Sequence, residues 1–367
     1  MYSNLEKAPV HKKTILVAPL DWGLGHATRC IPLIRLLQQL GCEVILASHG
    51  EQLALLQNEF PRIRTTLLQG YHIRYSKSKR RLALKVLLQI PKILLSICNE
   101  HRWLRKIIKE LHIDIVISDN RFGLYTKQIP CIFITHQLCI QAPYKWLQNF
   151  IQKVNYKFIN RFNECWVPDF ESSFNIAGNL SHPQNLPVTP LKYLGILSRF
   201  EKVESVEIKY EYLAILSGPE PQRTLFEQKL LSIAAQLNGK MLMLRGKPGS
   251  DEKISSPTNC TVVNHLSAAA MQQAFAQSGF IISRSGYTTV MEVLMMQKKS
   301  LLIPTPGQTE QEYLARHLTG QGLCYCCNQN DDLIYHINDI ENFEYRFPLL
   351  PQSALSKVVN DFLTRYS

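Results

Sequence analysis

Short apolar runs, each ending in a small or polar cluster, constrain this chain more than any other feature. Ile15-Leu-Val-Ala-Pro-Leu20 runs into Asp21-Trp-Gly-Leu-Gly-His26. An amphipathic stretch follows, with Ile31, Ile34, Leu37 and Leu40 on one face and Gly41 as its stop. Pro32 is expected near the first turn, where a missing N–H matters least. Glu43–Ala47 reads as the next strand. Strand, loop, helix and strand in that order open a parallel doubly wound sheet. Asp114–Ser118 and Cys131–Thr135 read as further buried strands, closed by Asp119-Asn-Arg121 and Thr135-His-Gln137. Ligands of open α/β sheets bind beyond the carboxyl ends of strands, so both clusters are expected to line a cleft.

A second series of the same kind begins at Tyr212–Leu216. It alternates through Lys240–Leu244, Thr261–Val263, Phe280–Ser283 and Ser300–Ile303. Pro187–Tyr210 carries two further helix breakers, Pro190 and Gly195, and a charged stretch from Arg199 to Lys209, and reads as the interdomain connection. The length of 367 residues suits two α/β domains. The expected division is an acceptor-side Rossmann-like domain over 1–197 and a donor-side domain over 198–345. A closing helical segment over 346–367 is expected to pack back on the first domain.

The ten cysteines are scattered, most of them inside apolar runs, as expected of reduced, buried thiols. Cys324-Tyr-Cys326-Cys327 lacks paired Cys-x-x-Cys spacing and reads as a short strand rather than a metal site. Met1–Lys13 is polar and no run of about 18 apolar residues exists, so a cytoplasmic protein is expected. The 41 basic residues outnumber the 29 acidic ones, for a net charge of +12. No recognition motif or aromatic–basic platform accompanies that charge, so nucleic acid is not an expected partner. The excess gathers between Arg74 and Lys109. There, basic residues from Arg74 to Lys92 interleave with Leu82, Leu84, Leu87, Leu88, Leu94 and Leu95, and Arg102, Trp103, Arg105 and Lys106 follow. Two readings stand: solvated faces of ordinary helices, or peripheral contact with an anionic membrane.

Three stretches carry chemistry. Gly23-Leu-Gly-His26 joins a strand to a helix, so Gly23 and Gly25 allow close approach of a ligand and the helix start offers free N–H groups. His26 there is either a base for an acceptor hydroxyl or an incidental residue of a helix start. Leu216-Ser-Gly-Pro-Glu220 is either a diphosphate seat at Ser217 and Gly218 or an ordinary βα turn. The most specific stretch runs from Ile282 to Leu294 and on through the Pro-rich loop at Pro304. Ser285-Gly286 ends a strand and opens a helix, which suits an anionic phosphate. Glu292 follows about two turns on among apolar neighbours, where a carboxylate can accept both hydroxyls of a ribose. Gln308, Glu310 and Gln311 suit sugar hydroxyls.

Strand, Arg-Ser-Gly, helix with Glu292, then strand, Pro-loop, Gln and helix resembles the C-terminal domain of glycosyltransferase family 28. The Gly-x-Gly-His loop and the His136-Gln137 stretch resemble that family's N-terminal half, so the resemblance covers most of the chain in order. It implies a GT-B architecture: α/β, two Rossmann-like doubly wound domains facing a central cleft. It implies Glu292 on the ribose, Ser285 and Gly286 on the diphosphate with Ser217 and Gly218 opposite, the Leu266 backbone on the base, and Gln311 on the donor sugar. Arg245, Arg284 and Thr288 join the candidate donor-binding set, and Gly23, Gly25, Asp119, His136 and Gln137 the acceptor side, with His26 as catalytic base. The implied reaction is an inverting, metal-independent transfer from a nucleotide sugar, UDP-linked by family default, to an acceptor hydroxyl that a basic–apolar surface would suit if lipid-linked. No cofactor is expected beyond this co-substrate. The chain departs from the family in Ser217-Gly218-Pro219, where a richer Gly-Gly-Ser turn is common. A hydrolase or epimerase of the same fold, or a non-catalytic nucleotide-sugar binder, are the alternatives.

Overall fold

The computed structural model describes residues 12–71, 89–142, 144–201, 206–218 and 220–366. The first sheet holds β1 (Thr14–Pro19), β2 (Glu43–Ser48), β3 (Arg64–Leu67), β4 (Ile115–Asp119), β5 (Cys131–Ile134), β6 (Glu164–Val167) and β7 (Leu191–Tyr193). Their spatial order is β3-β2-β1-β4-β5-β6-β7. The second sheet holds β8 (Tyr210–Ile215), β9 (Met241–Leu244), β10 (Cys260–Val263), β11 (Ser278–Ser283), β12 (Lys299–Leu302) and β13 (Tyr325–Cys326), in the order β10-β9-β8-β11-β12-β13. Every pairing in both sheets is parallel. This is the two-domain α/β architecture of GT-B proteins.

The helices are α1 (Leu24–Gln39), α2 (Gly50–Glu59), α3 (Ile90–Leu111), α4 (Lys145–Ile159), α5 (Gln222–Ala234), α6 (Ala268–Ala276), α7 (Tyr287–Met295), α8 (Thr309–Gly320), α9 (Leu333–Asp339) and α10 (Leu355–Arg365). Because parallel strands here are covered on both faces, their sequences are continuous apolar runs, and β1, β4 and β5 are buried throughout. The same strand order in both sheets produces the same reversal twice, between β1 and β4 and between β8 and β11. Adjacent strands whose crossovers depart to opposite sides leave a crevice at their carboxyl ends.

Two local expectations change. Pro32 is the ninth residue of α1, well inside the helix rather than in its first turn, and its ring removes the bond to the carbonyl one turn back. Leu40 closes the helix and stands exposed, because the buried face is set by Ala27, Cys30, Ile31, Ile34 and Leu37.

The two sheets meet through α1 and α7, whose apolar faces belong to one continuous core cluster. Gly25 permits the approach: a Cβ there would lie 3.0 Å from Thr288 Oγ1. After α9 the chain returns to the first sheet. Ser353 Oγ donates to the Leu194 carbonyl at 3.0 Å, and Phe362 of α10 packs edge-on against Trp166 with centroids 5.6 Å apart.

Candidate active site

Gly23 sits at φ 93°, a left-handed conformation that only glycine adopts cheaply, and it turns the chain from β1 into α1. Gln52 of α2 fixes this turn by donating to the Gly23 carbonyl at 2.6 Å. The turn delivers His26 to the carboxyl end of β4, where the register sets Asp119 beside Pro19. His26 Nδ1 lies 3.0 Å from Asp119 Oδ1. Arg29, one turn along α1, forks onto the same carboxylate: Nε donates to Oδ2 at 2.6 Å and Nη2 donates to Oδ1. Asp119 and Arg29 are both buried.

Proton placement follows from what each group can do. Asp119 only accepts and Arg29 only donates, and both meet His26 Nδ1, at 3.0 and 2.8 Å, so a proton on Nδ1 bonds Asp119 and a bare Nδ1 bonds Arg29. Nε2 meets no hydrogen-bond partner among the described residues, and with the proton on Nδ1 its lone pair is the one free to act as a base. Burial lowers the His26 pKa below 6.5, and Arg29 lowers it further, against the pull of Asp119. Burial alone would raise Asp119; Arg29 and then His26 outweigh it and hold the carboxyl well below its usual range. The imidazole is therefore neutral and oriented at neutral pH, as a general base requires.

His136 follows β5 and continues the network. Its Nδ1 is 3.3 Å from Arg29 Nη1, and its Nε2 is 2.7 Å from Glu310 Oε1 at the start of α8. Gln137 Nε2 donates to the other Glu310 oxygen. Tyr287 of α7 stacks flat on His136, centroids 4.0 Å apart, and its hydroxyl donates to the Pro168 carbonyl at 2.7 Å. Thr288 Oγ1 donates to the Gly25 carbonyl at 3.1 Å. Thus Gly25, His26, Asp119, His136 and Gln137 from the first domain meet Thr288 and Glu310 from the second.

On the donor side, Ser217 and Gly218 lie just beyond β8, and Ser285 and Gly286 just beyond its neighbour β11, where Ile215 pairs with Ser283. The second crevice therefore opens between them, at the amino end of α7. Ser285 Oγ donates to the Gln311 carbonyl at 3.0 Å, and Gln311 Oε1 accepts from the Thr305 backbone N–H at 2.8 Å. These bonds tie the Pro304 loop to α7. Two buried oxygens on that loop, Thr305 Oγ1 and Gln308 Oε1, have no hydrogen-bond partner among the described residues. Glu292 is buried, and its Oε1 accepts from Arg199 Nε at 2.8 Å. Burial raises the Glu292 pKa, and Arg199 partly offsets it. Arg199 also lines a small pocket with His265 and Leu266.

Three arginines point elsewhere. Arg284 spends its guanidinium on the carbonyls of Ile303, Pro304 and Gln222 and on Gln329, and lies over the Phe226 ring. Arg245 pairs with Glu227 and Glu252. Arg121, in the Asp119–Arg121 cluster expected to line the cleft, instead turns into the core, where it pairs with Glu100 at 2.8 Å and donates to the Pro19 carbonyl. Arg245 and Arg121 thus face carboxylates inside the domains, whereas Arg284 faces only carbonyl and amide oxygens and a ring. Arg29, Arg199 and Tyr287 are the functional candidates that the sequence did not single out. For Arg29 a signal existed, since three residues from His26 places it on the same helix face.

Residues 222–346 match the model of the glycosyltransferase family 28 C-terminal domain. A curated relative from Methanosarcina mazei, named an uncharacterized glycosyltransferase, is 23% identical over 337 residues, covering 82% of each chain. The crystal structure of Acinetobacter baumannii MurG superposes with a TM-score of 0.54 at 15% identity, over 96% of this chain and 99% of that one. The spinosyn rhamnosyltransferase SpnG, complexed with thymidine diphosphate, gives a TM-score of 0.59 at 14% identity, over 90% of each chain. Its domain match, its relatives and its paired sheets together make the chain a glycosyltransferase of the GT-B fold whose residues 222–346 are similar to the family 28 C-terminal domain.

Proposed function

We propose that the chain moves a sugar from a nucleotide donor, UDP-linked by family default, to an acceptor hydroxyl, inverting the anomeric centre without a metal. The observation that carries this is the oriented, neutral His26–Asp119 pair facing the amino end of α7 across a contact between two switch-point crevices. His26 Nε2 takes the acceptor proton, the acceptor oxygen bonds to the anomeric carbon, and the bond to the diphosphate breaks with its electron pair on the leaving oxygen. Backbone N–H groups at Ser285–Gly286 and Ser217–Gly218 meet that charge, as helix termini and small-residue turns do. Glu292 accepts from the ribose hydroxyls, with Arg199 partly offsetting the burial that raises its pKa. Leu266 presents its backbone to the base, and Glu310 and Gln311 face the sugar. The alignment of His26 for proton abstraction favours a transferase over an epimerase.

A panel of nucleoside diphosphates in a thermal unfolding assay tests the donor site. A ligand at about 100 times its Kd stabilises by about 2.7 kcal/mol, and no response to any of them would end this reading. For His26→Ala, turnover is expected to fall about 100-fold or more. Activity that collapses with chelator and returns with manganese would refute metal independence. Free sugar released without acceptor identifies a hydrolase, and an altered sugar an epimerase.

Membrane contact belongs to the same reading. Among the described residues no helix is long and apolar enough to cross a membrane. The first part of the basic segment, residues 74–88, lies outside the described residues, and Trp103 is packed against the first domain's core. Ile90, Leu94 and Leu95 of α3 are exposed. So are Trp146 and Phe150 of α4 and the adjoining Tyr144, beside Lys145, Lys153 and Lys157 on a helix with no acidic residue. Basic and aromatic groups together suit an anionic bilayer surface and a lipid-linked acceptor. Co-sedimentation with anionic vesicles at low salt is expected, and its absence would remove the membrane from the proposal.

A further inference from the structure

We propose that the donor-sugar subsite is shared between the domains, with His136 as the positioning residue that holds Glu310 from the acceptor side. This rests on the reading of the Pro304–Gln311 loop as the sugar-facing segment. Glu310 belongs to the second domain, yet its carboxylate finds its partners in the first: His136 Nε2 at 2.7 Å on one oxygen and Gln137 Nε2 on the other. The His136 proton is placed by its neighbours. Arg29 can only donate to Nδ1, so Nε2 carries the hydrogen and donates to Glu310. The ring cannot swing away, because Tyr287 covers its face and the residue is 3% exposed.

A carboxylate offers about four lone-pair positions, of which His136 and Gln137 occupy two. The Glu310 side chain keeps 19% exposure, so its remaining positions stay open to a hydroxyl donor. A sugar hydroxyl can therefore bind without breaking the bonds to the first domain. Thr309 Oγ1 adds a neighbouring tie, donating to the Gln141 carbonyl at 3.1 Å. The consequence is a division of labour. The nucleotide is gripped by the second domain alone, whereas the sugar is gripped by a group whose geometry is set by the first.

The test uses calorimetry on the full chain and needs no acceptor. A panel of UDP- and TDP-sugars first identifies the tightest ligand, and its Kd and that of its parent diphosphate are measured for wild type, His136→Ala and His136→Gln. His136→Ala is expected to weaken the sugar nucleotide about tenfold while leaving the diphosphate within about twofold. His136→Gln, which still presents an N–H donor, is expected to recover most of the loss. Glu310→Gln keeps the volume, serves if the alanine variant fails to fold, and is expected to show the same selective weakening. Equal weakening of both ligands, or of neither, overturns the proposal. Wild type that binds no diphosphate defeats the underlying donor-site reading, and this proposal falls with it.

Discussion

Replacing Arg29 by methionine is expected to weaken the base by making it easier to protonate. The guanidinium Nη2 lies 2.8 Å from His26 Nδ1, which places its charge centre about 4 Å from the ring. At an effective dielectric of about 20, a unit charge at that range is worth about 4 kcal/mol. Burial is the larger cause of the lowered His26 midpoint and Arg29 the next, so removing Arg29 lifts the midpoint. The sign is set by what remains. Burial and His136 still lower the midpoint while Asp119 raises it, so with Arg29 gone the ring keeps its proton to higher pH than in wild type. Stability moves as well, because opening a buried ion pair costs about 3–5 kcal/mol. That deficit should shrink as pH falls, since a protonated His26 replaces the missing partner. A raised midpoint contributes stability present below about 6.5 and lost as pH rises through the folded value. Arg29→Lys keeps the charge and is expected to leave His26 neutral. The assay is an NMR titration of the His26 ring, assigned among the 11 histidines by comparison with His26→Gln. A midpoint in the methionine variant that stays put or falls would refute the account of how Arg29 keeps the base neutral.

Other outcomes follow from single contacts. Gly246→Ala places a Cβ 2.4 Å from the Leu216 carbonyl at a residue with φ 66°, and is expected to cost about 2 kcal/mol or more in denaturant unfolding and to weaken nucleotide binding through the Ser217 turn. Tyr287→Phe removes the bond to the Pro168 carbonyl while keeping the stack on His136, so about 0.5–1.5 kcal/mol should be lost; a calorimetric unfolding series measures it. Asp119 and Glu310 are both held below their usual pKa values, Glu310 by His136 against the effect of burial. Their stabilisation is present above about pH 4 and lost as pH falls through the folded values, so Asp119→Asn should flatten the acid limb of the stability curve.

The parallel strands were legible because fully covered strands must be continuous apolar runs, and their polar endings marked the crevices. His26, Asp119, His136 and Glu310 could be named from position alone, since each follows a strand or opens a helix. What the sequence did not carry was the partner of each charge. Arg29 and Asp119 are 90 residues apart, and Arg199 and Glu292 are 93. A chain shows that a guanidinium exists, not where its carboxylate arrives. For the same reason the chain alone does not show that Arg245 pairs with Glu227 and Glu252, or that Arg284 donates to the carbonyls of Ile303, Pro304 and Gln222. Trp103 and Leu95 look alike in an amphipathic segment, and only packing separates the half-buried ring from the exposed side chain.

Because the polypeptide crosses from the first sheet to the second after β7 and crosses back before α10, the halves hang on two pins instead of one. A body tied at two points retains chiefly the swing about the line joining them, and twisting or sliding is suppressed. Opening should therefore trace a single repeatable arc, bringing His136 and Glu310 back to the same meeting place on every stroke.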